Sequence, residues 1–221
     1  MLKKILSYFY PITIYKEKSA LSDELKIILY NGNYLLDTTN TNYSYGSLQK
    51  VLKKGLLKIG KTQIKEMSEI LLLGVAGGSV VKTLVQEFEF KNSITGIELD
   101  ANIIRLANKY FGLDKITNFN CILENAEDFI AHSNQNFDLI IIDIFEDKNM
   151  PEFLFDETFI SNYKKLLKPK GYIIFNFMWI GKEKATKIQQ YLSNFNENDF
   201  IVTHFKNVEH YNDLFVIQKL N

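Results

Sequence analysis

The sequence is poor in the residues that form disulfides and bind metals. Its 221 residues include one cysteine, Cys121, which excludes an intramolecular disulfide and favours a reducing compartment. Cys121 stands in an alternating apolar run, a pattern that indicates a core residue rather than a nucleophile. The three histidines, His132, His204 and His210, have no metal-ligand spacing, so we expect no metal site.

An excess of one charge and a long apolar run are also missing. The 26 basic and 26 acidic side chains cancel, so the overall charge gives no indication of nucleic-acid binding. No apolar stretch approaches the roughly 20 residues that span a membrane, and the first residues lack the cleavage site of a signal peptide. We therefore expect a cytoplasmic protein with neither a membrane nor a nucleic-acid partner.

The most informative stretch of the sequence runs from Glu69 to Asp100. An all-apolar run, Ile70–Leu73, predicts a strand buried on both faces. It is followed by the turn Gly74-Val75-Ala76-Gly77-Gly78-Ser79, then by an amphipathic helical pattern, and then by a second apolar run that ends in Glu98 and Asp100. This unit is typical of nucleoside binding, because glycines let the backbone approach the ligand and the acid accepts hydrogen bonds from the ribose.

The glycine turn narrows the choice of nucleoside. A dinucleotide fingerprint requires G-x-G-x-x-G, and the turn G-V-A-G-G-S lacks the second glycine in that register. No Gly-Lys-Ser/Thr follows, as a phosphate-binding loop would require. S-adenosylmethionine has no phosphate and needs only close backbone approach, so the turn favours that ligand.

Strands and helices alternate regularly after Asp100. Further strands are predicted at 119–123, 137–142, 172–177, 200–205 and 214–219, with a loop over 206–213. Helices are predicted at 101–110, 126–131, 152–167 and 182–195. The pattern predicts an α/β fold with a doubly wound, mostly parallel, Rossmann-like sheet of seven strands. Ligands of such sheets bind outside the carboxyl ends of the strands, where the connectivity places Gly74, Glu98, Asn125 and Asp143.

The first 60 residues are predicted to form a separate piece. Two strand-forming runs flank Asn31-Gly32-Asn33, and Asn-Gly is a strong hairpin signal because both central positions need positive φ. A polar loop with Tyr43 and Tyr45 precedes a helix predicted over 47–59. We expect two domains, an N-terminal β-hairpin with its linking helix (1–60) and a ligand-binding domain (61–221). The open edges of the hairpin piece suggest pairing in a homodimer.

These segments together resemble the class I S-adenosylmethionine-dependent methyltransferase fold and, within it, the spermidine-synthase-like group. The resemblance covers most of the chain and rests on ILYNGNYLLD, the glycine turn, GIELD, LENAEDF, FDLIIIDIFED and LLKPKGYIIFNF. It implies that the methionine portion of the cofactor is lined by Gly74, Gly77 and Gly78. It also implies that Glu98 takes the ribose hydroxyls and that Asn125 accepts from the adenine amino group.

The resemblance also implies roles near the reacting groups, with departures from the family pattern. Asp143 matches the first acid of a D-S-S-D-P loop, whose second acid is replaced by Glu146, and Tyr45 matches a tyrosine that reaches over the active site. Aminopropyl-transferring members have G-G-G-D-G-G at the turn, and their Asp faces the amine of decarboxylated S-adenosylmethionine. In this sequence that position is Gly77.

We therefore expect an S-adenosylmethionine-dependent transferase that moves a methyl group to a small-molecule acceptor. Asp143, Glu146 and Tyr45 are the predicted catalytic residues. The alternatives are aminopropyl transfer from the decarboxylated cofactor, as in a spermidine synthase, and a cofactor-binding protein without catalysis. Gly77 predicts a preference for native S-adenosylmethionine, because an Asp at that position would repel the carboxylate of the native cofactor.

Overall fold

Two sheets organise the computed structural model, which describes residues 2–19, 21–38, 47–145, 150–209 and 211–221. The smaller sheet is antiparallel and contains β1 (Ile12–Glu17), β2 (Leu25–Tyr30) and β3 (Asn33–Thr38), in that order. Asn31 and Gly32 turn between β2 and β3 with φ of 49° and 75°. The predicted hairpin is therefore confirmed, together with the positive φ angles on which it depended.

The main sheet has seven strands in the order β6-β5-β4-β7-β8-β10-β9. Their bounds are β4 (Glu69–Leu73), β5 (Ser93–Glu98), β6 (Phe119–Leu123), β7 (Phe137–Ile142), β8 (Leu167–Met178), β9 (Phe200–Glu209) and β10 (Asn212–Lys219). The strands β4 to β8 pair in parallel, and β10 is antiparallel to both of its neighbours. This order confirms the predicted doubly wound, mostly parallel sheet of seven strands.

Eight α-helices surround the sheets in the described part of the chain. They are α1 (Leu2–Leu6), α2 (Ser47–Ile59), α3 (Lys61–Glu66), α4 (Ser79–Lys82), α5 (Ala101–Leu106), α6 (Ala126–His132), α7 (Glu157–Leu166) and α8 (Lys184–Leu192). α4 and α5 each continue into a π-helical turn, over Thr83–Glu87 and Ala107–Phe111. The helical segment from Ala101 ends at Gly112 with φ of 66°, as predicted. None of these helices has the length and apolar character to cross a membrane.

The core lies on both faces of the main sheet because successive side chains of a strand point to opposite sides. Leu71 and Leu73 of β4 join a cluster with side chains of α6, α7 and α8. Ile70 and Leu72 join a second cluster with side chains of α2, α3 and α4. All four side chains are fully buried, and each contributes about 2 kcal/mol through removal of apolar surface from water.

The small sheet packs on α5. Leu25 and Leu36 form a buried cluster with Ile103 and Leu106 of that helix, and Arg105 forms an ion pair with Glu17. The helix α2, in contrast, buries its apolar side in the cluster of the main sheet. The domain boundary at residue 60 and the homodimer through the small sheet stay predictions.

Several segments differ from the sequence-based expectations, and β8 begins at Leu167 rather than at residue 172. The helix predicted over 152–167 is divided into a 3-10 turn (Glu152–Phe155) and α7, because the backbone of Asp156 is extended between them. The loop predicted over 206–213 is largely strand, since β9 continues to Glu209 and β10 begins at Asn212. β9 is an edge strand, where polar residues are tolerated because one side of the strand is unpaired.

Gly74 is the residue of the glycine turn that should tolerate substitution least. Its φ is +88°, and an added Cβ would lie 2.3 Å from the carbonyl oxygen of Asp143. Gly60 provides a matched control, because its φ is +99° and an added Cβ would have no atom within 4 Å. We expect Gly74→Ala to lower the free energy of unfolding by about 3 kcal/mol and Gly60→Ala by about 1 kcal/mol in urea denaturation. Equal losses would show that close backbone approach at Gly74 contributes nothing.

Candidate nucleoside-binding site

A cavity of about 610 Å³ opens at the carboxyl ends of the parallel strands. Gly74 follows β4, Glu98 ends β5, Asn125 follows β6, and Asp143 follows β7, and all four residues line the cavity. The structure thus brings together the four residues that the connectivity placed at this edge of the sheet. The roles assigned to them from sequence stay predictions.

Other predicted site residues lie elsewhere or outside the described residues. Gly77 and Gly78 are buried and do not line the cavity. Gly78 has φ of +72°, and an added Cβ would lie 2.3 Å from the side chain of Leu113, so its small size serves packing of the turn. Tyr45 and Glu146, both predicted to be catalytic, lie outside the described residues.

The carboxylate of Glu98 joins two backbone turns. Its Oε2 accepts hydrogen bonds from the N–H groups of Val75 (3.2 Å) and Ala76 (3.0 Å) in the glycine turn. Its Oε1 accepts from Leu99 (3.0 Å) and Asp100 (3.1 Å) at the entrance to α5. Burial raises the pKa of Glu98, and these four N–H groups oppose that rise by stabilising the carboxylate. Glu98 therefore holds the glycine turn against the end of β5.

Asp100 lines the same cavity with an incompletely paired carboxylate. Its Oδ1 accepts a hydrogen bond from the N–H of Asn102 at 2.8 Å and caps the N-terminus of α5. The residue is 6% exposed, and its Oδ2 is a buried atom to which no group of the described chain donates. The sequence analysis placed Asp100 at the end of the glycine unit but did not select it as a site residue.

Asp143 lines the cavity and accepts a hydrogen bond from a buried amide. Asn176 of β8 donates from Nδ2 to Oδ1 of Asp143 at 2.8 Å, and Asn212 of β10 donates to the amide oxygen of Asn176 at 2.8 Å. Burial raises the pKa of Asp143 to about 6, against the opposing effect of the Asn176 hydrogen bond. Sequence analysis missed Asn176, although a polar residue in the apolar run of β8 is a signal of this kind.

Asn125 and Glu124 border the cavity after β6. The side-chain oxygen of Asn125 accepts a hydrogen bond from the N–H of Glu127 at 2.8 Å and caps α6. A ligand that donates to this oxygen would share it with the helix. Glu124 lines the cavity and lies 3.5 Å from His132. The sequence analysis did not select Glu124, because a partly exposed acid after a strand has no distinguishing local pattern.

The small sheet reaches the cavity through the loop between β1 and β2. Leu21 and Ser22 of this loop line the cavity, as do the aromatic side chains of Phe145 and Phe153. The tyrosine that the resemblance places over the active site, Tyr45, belongs to a different loop, which lies outside the described residues. No local pattern marks Leu21 and Ser22, since their position follows from the packing of the small sheet on α5.

Acidic groups dominate the charge of the cavity. Four carboxylates line it, from Glu98, Asp100, Glu124 and Asp143. Lysine, arginine and histidine are absent from the described residues that line it. Burial and the nearby charge of Glu98 raise the pKa of the Cys121 thiol to about 12, so little of it is in the nucleophilic thiolate form at neutral pH. The cavity is therefore suited to cationic ligands.

The strand order and the position of this cavity define a Rossmann-like fold of the class I S-adenosylmethionine-dependent methyltransferase type. A family model described as the spermine/spermidine synthase domain matches residues 49–216. The chain belongs to the spermine/spermidine synthase family.

Individual relatives are distant. A polyamine aminopropyltransferase of Vibrio vulnificus is 27% identical over 131 residues, which cover 58% of this chain and 44% of the relative. The chain spans less than half the length of the curated relatives it matches. A probable spermidine synthase from Corynebacterium glutamicum has a TM-score of 0.75 at 15% identity, over 94% of this chain and 79% of that one. Human methyltransferase-like protein 13, solved with SAH, has a TM-score of 0.65 at 19% identity, over 80% and 83%. The two structural similarities show the fold alone.

Asp143 should lower stability at neutral pH, because its pKa of about 6 in the folded state lies above the ordinary value near 3.8. The folded state holds the proton more tightly, so the contribution of Asp143 is complete below about pH 4 and is lost as the pH rises through about 6. Asp143→Asn should keep the hydrogen bond from Asn176 and remove this loss. We expect it to raise the free energy of unfolding at pH 7 by at most roughly 3 kcal/mol, at about 1.4 kcal/mol per pKa unit.

Asp138 provides the control for this experiment. It accepts hydrogen bonds from Lys168, Ser68 and Glu69, and although burial works against it, these partners hold its pKa below the ordinary value. Its contribution is therefore present at neutral pH and is lost on acidification, so Asp138→Asn should destabilise at pH 7. Urea denaturation of both variants between pH 4 and 8 tests the pair, and a destabilised Asp143→Asn at pH 7 would contradict the assignment.

Proposed function

We propose that the protein transfers an aminopropyl group from decarboxylated S-adenosylmethionine to an amine acceptor. The observation that carries this proposal is the set of four carboxylates around a cavity without a described cationic side chain. The decarboxylated donor has a sulfonium and an ammonium but no carboxylate, and a diamine acceptor is also cationic. Each of these ligands gains Coulomb attraction in an acidic cavity, where a charge pair at about 4 Å and an effective dielectric near 20 is worth roughly 4 kcal/mol.

The reaction requires positioning more than acid–base chemistry. The amine nitrogen of the acceptor forms a bond to the carbon beside sulfur, the carbon–sulfur bond breaks, and the thioether leaves with the electron pair. Asp143, deprotonated above its pKa of about 6, accepts a hydrogen bond from the amine and relays its proton to solvent. Holding the two reactants in line supplies most of the acceleration.

The proposed division of the cavity follows its lining. Glu98, Asp100 and Asn125 lie at the ends of β5 and β6, where they would hold the nucleoside. Phe145 and Phe153 offer aromatic surface, which stabilises a sulfonium cation. Asp143 would face the acceptor, with Glu146 and Tyr45 as further predicted contributors.

The names of the relatives favour aminopropyl transfer, whereas Gly77 in the glycine turn favours methyl transfer. The name polyamine aminopropyltransferase, borne by curated relatives, supports the proposal, whereas the sequence analysis put methyl transfer first. Methyl transfer is the second candidate, and Gly77 favours it, because this position offers no counter-charge to the ammonium of the decarboxylated donor. The acidic character of the whole cavity leads us to place aminopropyl transfer first.

The two reactions leave different nucleosides, so one assay separates them. We expect incubation with the decarboxylated donor and 1,4-diaminobutane to release 5′-methylthioadenosine, detected by mass spectrometry. Methyl transfer would instead release S-adenosylhomocysteine from S-adenosylmethionine. Asp143→Asn is the control for background breakdown of either donor and should lose at least 100-fold in rate, the lower range for removal of an acid–base group. Absence of both products over a panel of amines would refute the proposed transferase activity.

Substitution of Gly77 tests how the protein selects its donor. We expect the unmodified protein to bind the decarboxylated donor more tightly than S-adenosylmethionine, because the latter brings a carboxylate into an acidic cavity. Gly77→Asp should increase this preference at least tenfold, since one more carboxylate attracts the ammonium and repels the native carboxylate. Calorimetric titration of both proteins with both donors measures the change. Tighter binding of S-adenosylmethionine by the unmodified protein would move methyl transfer to first place.

A further inference from the structure

Two buried amides form a hydrogen-bonded chain that ends at Asp143. Asn176 of β8 is fully buried, and Asn212 of β10 is 6% exposed. The Nδ2 of Asn176 donates to Oδ1 of Asp143 at 2.8 Å, and the Nδ2 of Asn212 donates to Oδ1 of Asn176 at 2.8 Å. The chain therefore runs from the cavity through β8 to β10, a strand whose residues do not line the cavity.

Asn176 is a polar residue in an apolar part of the sheet. Its neighbours in β8, Phe175 and Phe177, are fully buried. A buried amide is tolerated only when its donor and acceptor atoms are paired, whereas an apolar side chain of the same size would pack here without that requirement. The group that gains from the two amides is the carboxylate at the end of the chain, Asp143.

The chemistry of the three groups fixes the direction of the chain. A carboxylate only accepts hydrogen bonds, so the amide of Asn176 has to present its nitrogen to Asp143 and its oxygen to the opposite side. On that side Asn212 presents a nitrogen, which would face a second donor if the amide of Asn176 were reversed. Asn212 therefore holds the amide of Asn176 in the orientation that suits a deprotonated Asp143.

Asn212 is itself held from both sides. Lys184 of α8 donates from Nζ to the carbonyl oxygen of Tyr211 at 3.0 Å and to Oδ1 of Asp213 at 2.7 Å. These two residues flank Asn212 in the sequence. The other carboxylate oxygen of Asp213 lies 2.6 Å from Nε2 of His204. The start of β10 is thus fixed by contacts of its own, as the support of a functional side chain requires.

We propose that Asn212 is a positioning residue for Asp143, which acts through Asn176 by keeping the amide nitrogen of Asn176 on the carboxylate. The inference deepens the proposed function, in which Asp143 receives the proton of the acceptor amine, and its catalytic consequence rests on that function. A hydrogen bond donated to a carboxylate favours the deprotonated form, so the chain keeps more of Asp143 ready to accept a proton at neutral pH.

The first test is the titration of Asp143 in the protein without ligand. Carbon-13 NMR of the aspartate carboxyl groups follows this titration, and Asp143→Asn identifies the signal. We expect Asn176→Leu and Asn212→Leu each to raise the pKa of Asp143 by about one unit, because leucine has nearly the size of the amide but donates no hydrogen bond. Asn212 donates to Asn176 rather than to Asp143, so a rise in its variant reports transmission through Asn176.

Asn118→Leu is the matched control for the loss of a buried amide. Asn118 precedes β6 at the amino ends of the parallel strands, and its Nδ2 donates to the carbonyl oxygens of Phe90 (3.3 Å) and Asn92 (2.7 Å). This variant removes the same group at the opposite edge of the sheet. It should destabilise the fold and leave the pKa of Asp143 unchanged.

The second test is the pH dependence of the proposed transfer. If the pKa of Asp143 rises by about one unit from about 6, Asn212→Leu should be about fivefold slower than the unmodified protein at pH 6 and nearly as fast at pH 8. Its affinity for 5′-methylthioadenosine should stay within about twofold, because a positioning effect on Asp143 changes the rate rather than nucleoside binding. An equal loss of rate at both pH values would contradict the positioning role.

The remaining outcomes separate the statements from one another. A pKa of Asp143 that rises in Asn176→Leu but not in Asn212→Leu would overturn the role of Asn212, as would an equal rise in Asn118→Leu. If Asn212→Leu does not fold, the unmodified protein provides the test, because the side-chain amide signals of Asn176 and Asn212 in nitrogen-15 NMR should both shift as Asp143 titrates. An Asn212 signal that does not respond would overturn the inference. Absence of transferase activity would refute the proposed function and leave the NMR result to decide on Asn212.

Discussion

The hydrogen bonds to Glu98 are the interaction on which the cavity most depends. Parallel strands end at one edge of the sheet, and there the backbone must turn away from β4 and β5 side by side. Glu98 joins these turns by accepting from Val75 and Ala76 on one side and from Leu99 and Asp100 on the other. Ala76 adopts φ of +48°, which a residue with a Cβ rarely does, and this contact holds it there. Glu98 thus links the turn to the start of α5, each of which is also held by its own hydrogen bonds, from Gly78 to Val75 and from Asn102 to Asp100.

The carboxylates that suit the cavity to a cationic ligand also lower the stability of the folded protein. Carboxylates without cationic partners are costly to bury, and each acid here is compensated in a different way. Glu98 receives four backbone N–H groups, Asp100 receives the N–H of Asn102, Asp143 receives the amide of Asn176, and Glu124 stays partly exposed to water. The rise in the pKa of Asp143 to about 6 reflects how incomplete its compensation is. Perturbed acids grouped in one cavity are typical of sites where a ligand supplies the missing partner.

The fold was predictable because its signals are local and periodic. Apolar runs placed β4 and β7, and strand connectivity alone brought Gly74, Glu98, Asn125 and Asp143 to one edge. Contacts between distant segments were not predictable in this way. Leu21 reaches the cavity because a separate sheet packs on α5, and Asn212 supports Asp143 through Asn176 across two strands. The use of Glu98 by backbone N–H groups was equally invisible, because it depends on the path of two turns rather than on residue type.

Gly77 offers no counter-charge to an ammonium, whereas the cavity as a whole is acidic. The distance dependence of Coulomb attraction shows how the cavity can replace the missing charge. One carboxylate about 4 Å from an ammonium contributes roughly 4 kcal/mol at an effective dielectric near 20, and a carboxylate at twice that distance contributes about half as much. Two or three acids around the cavity therefore match the attraction of a single close acid at the turn. They provide no fixed hydrogen-bond direction, however, because attraction from several sides does not specify one orientation of the ammonium. In the proposed function, such a cavity would attract a cationic donor, while the remaining contacts, chiefly those at the nucleoside, would determine where its reactive carbon lies. Under the proposed function, positioning of the donor would thus depend on contacts at the nucleoside more than on the residue at the glycine turn.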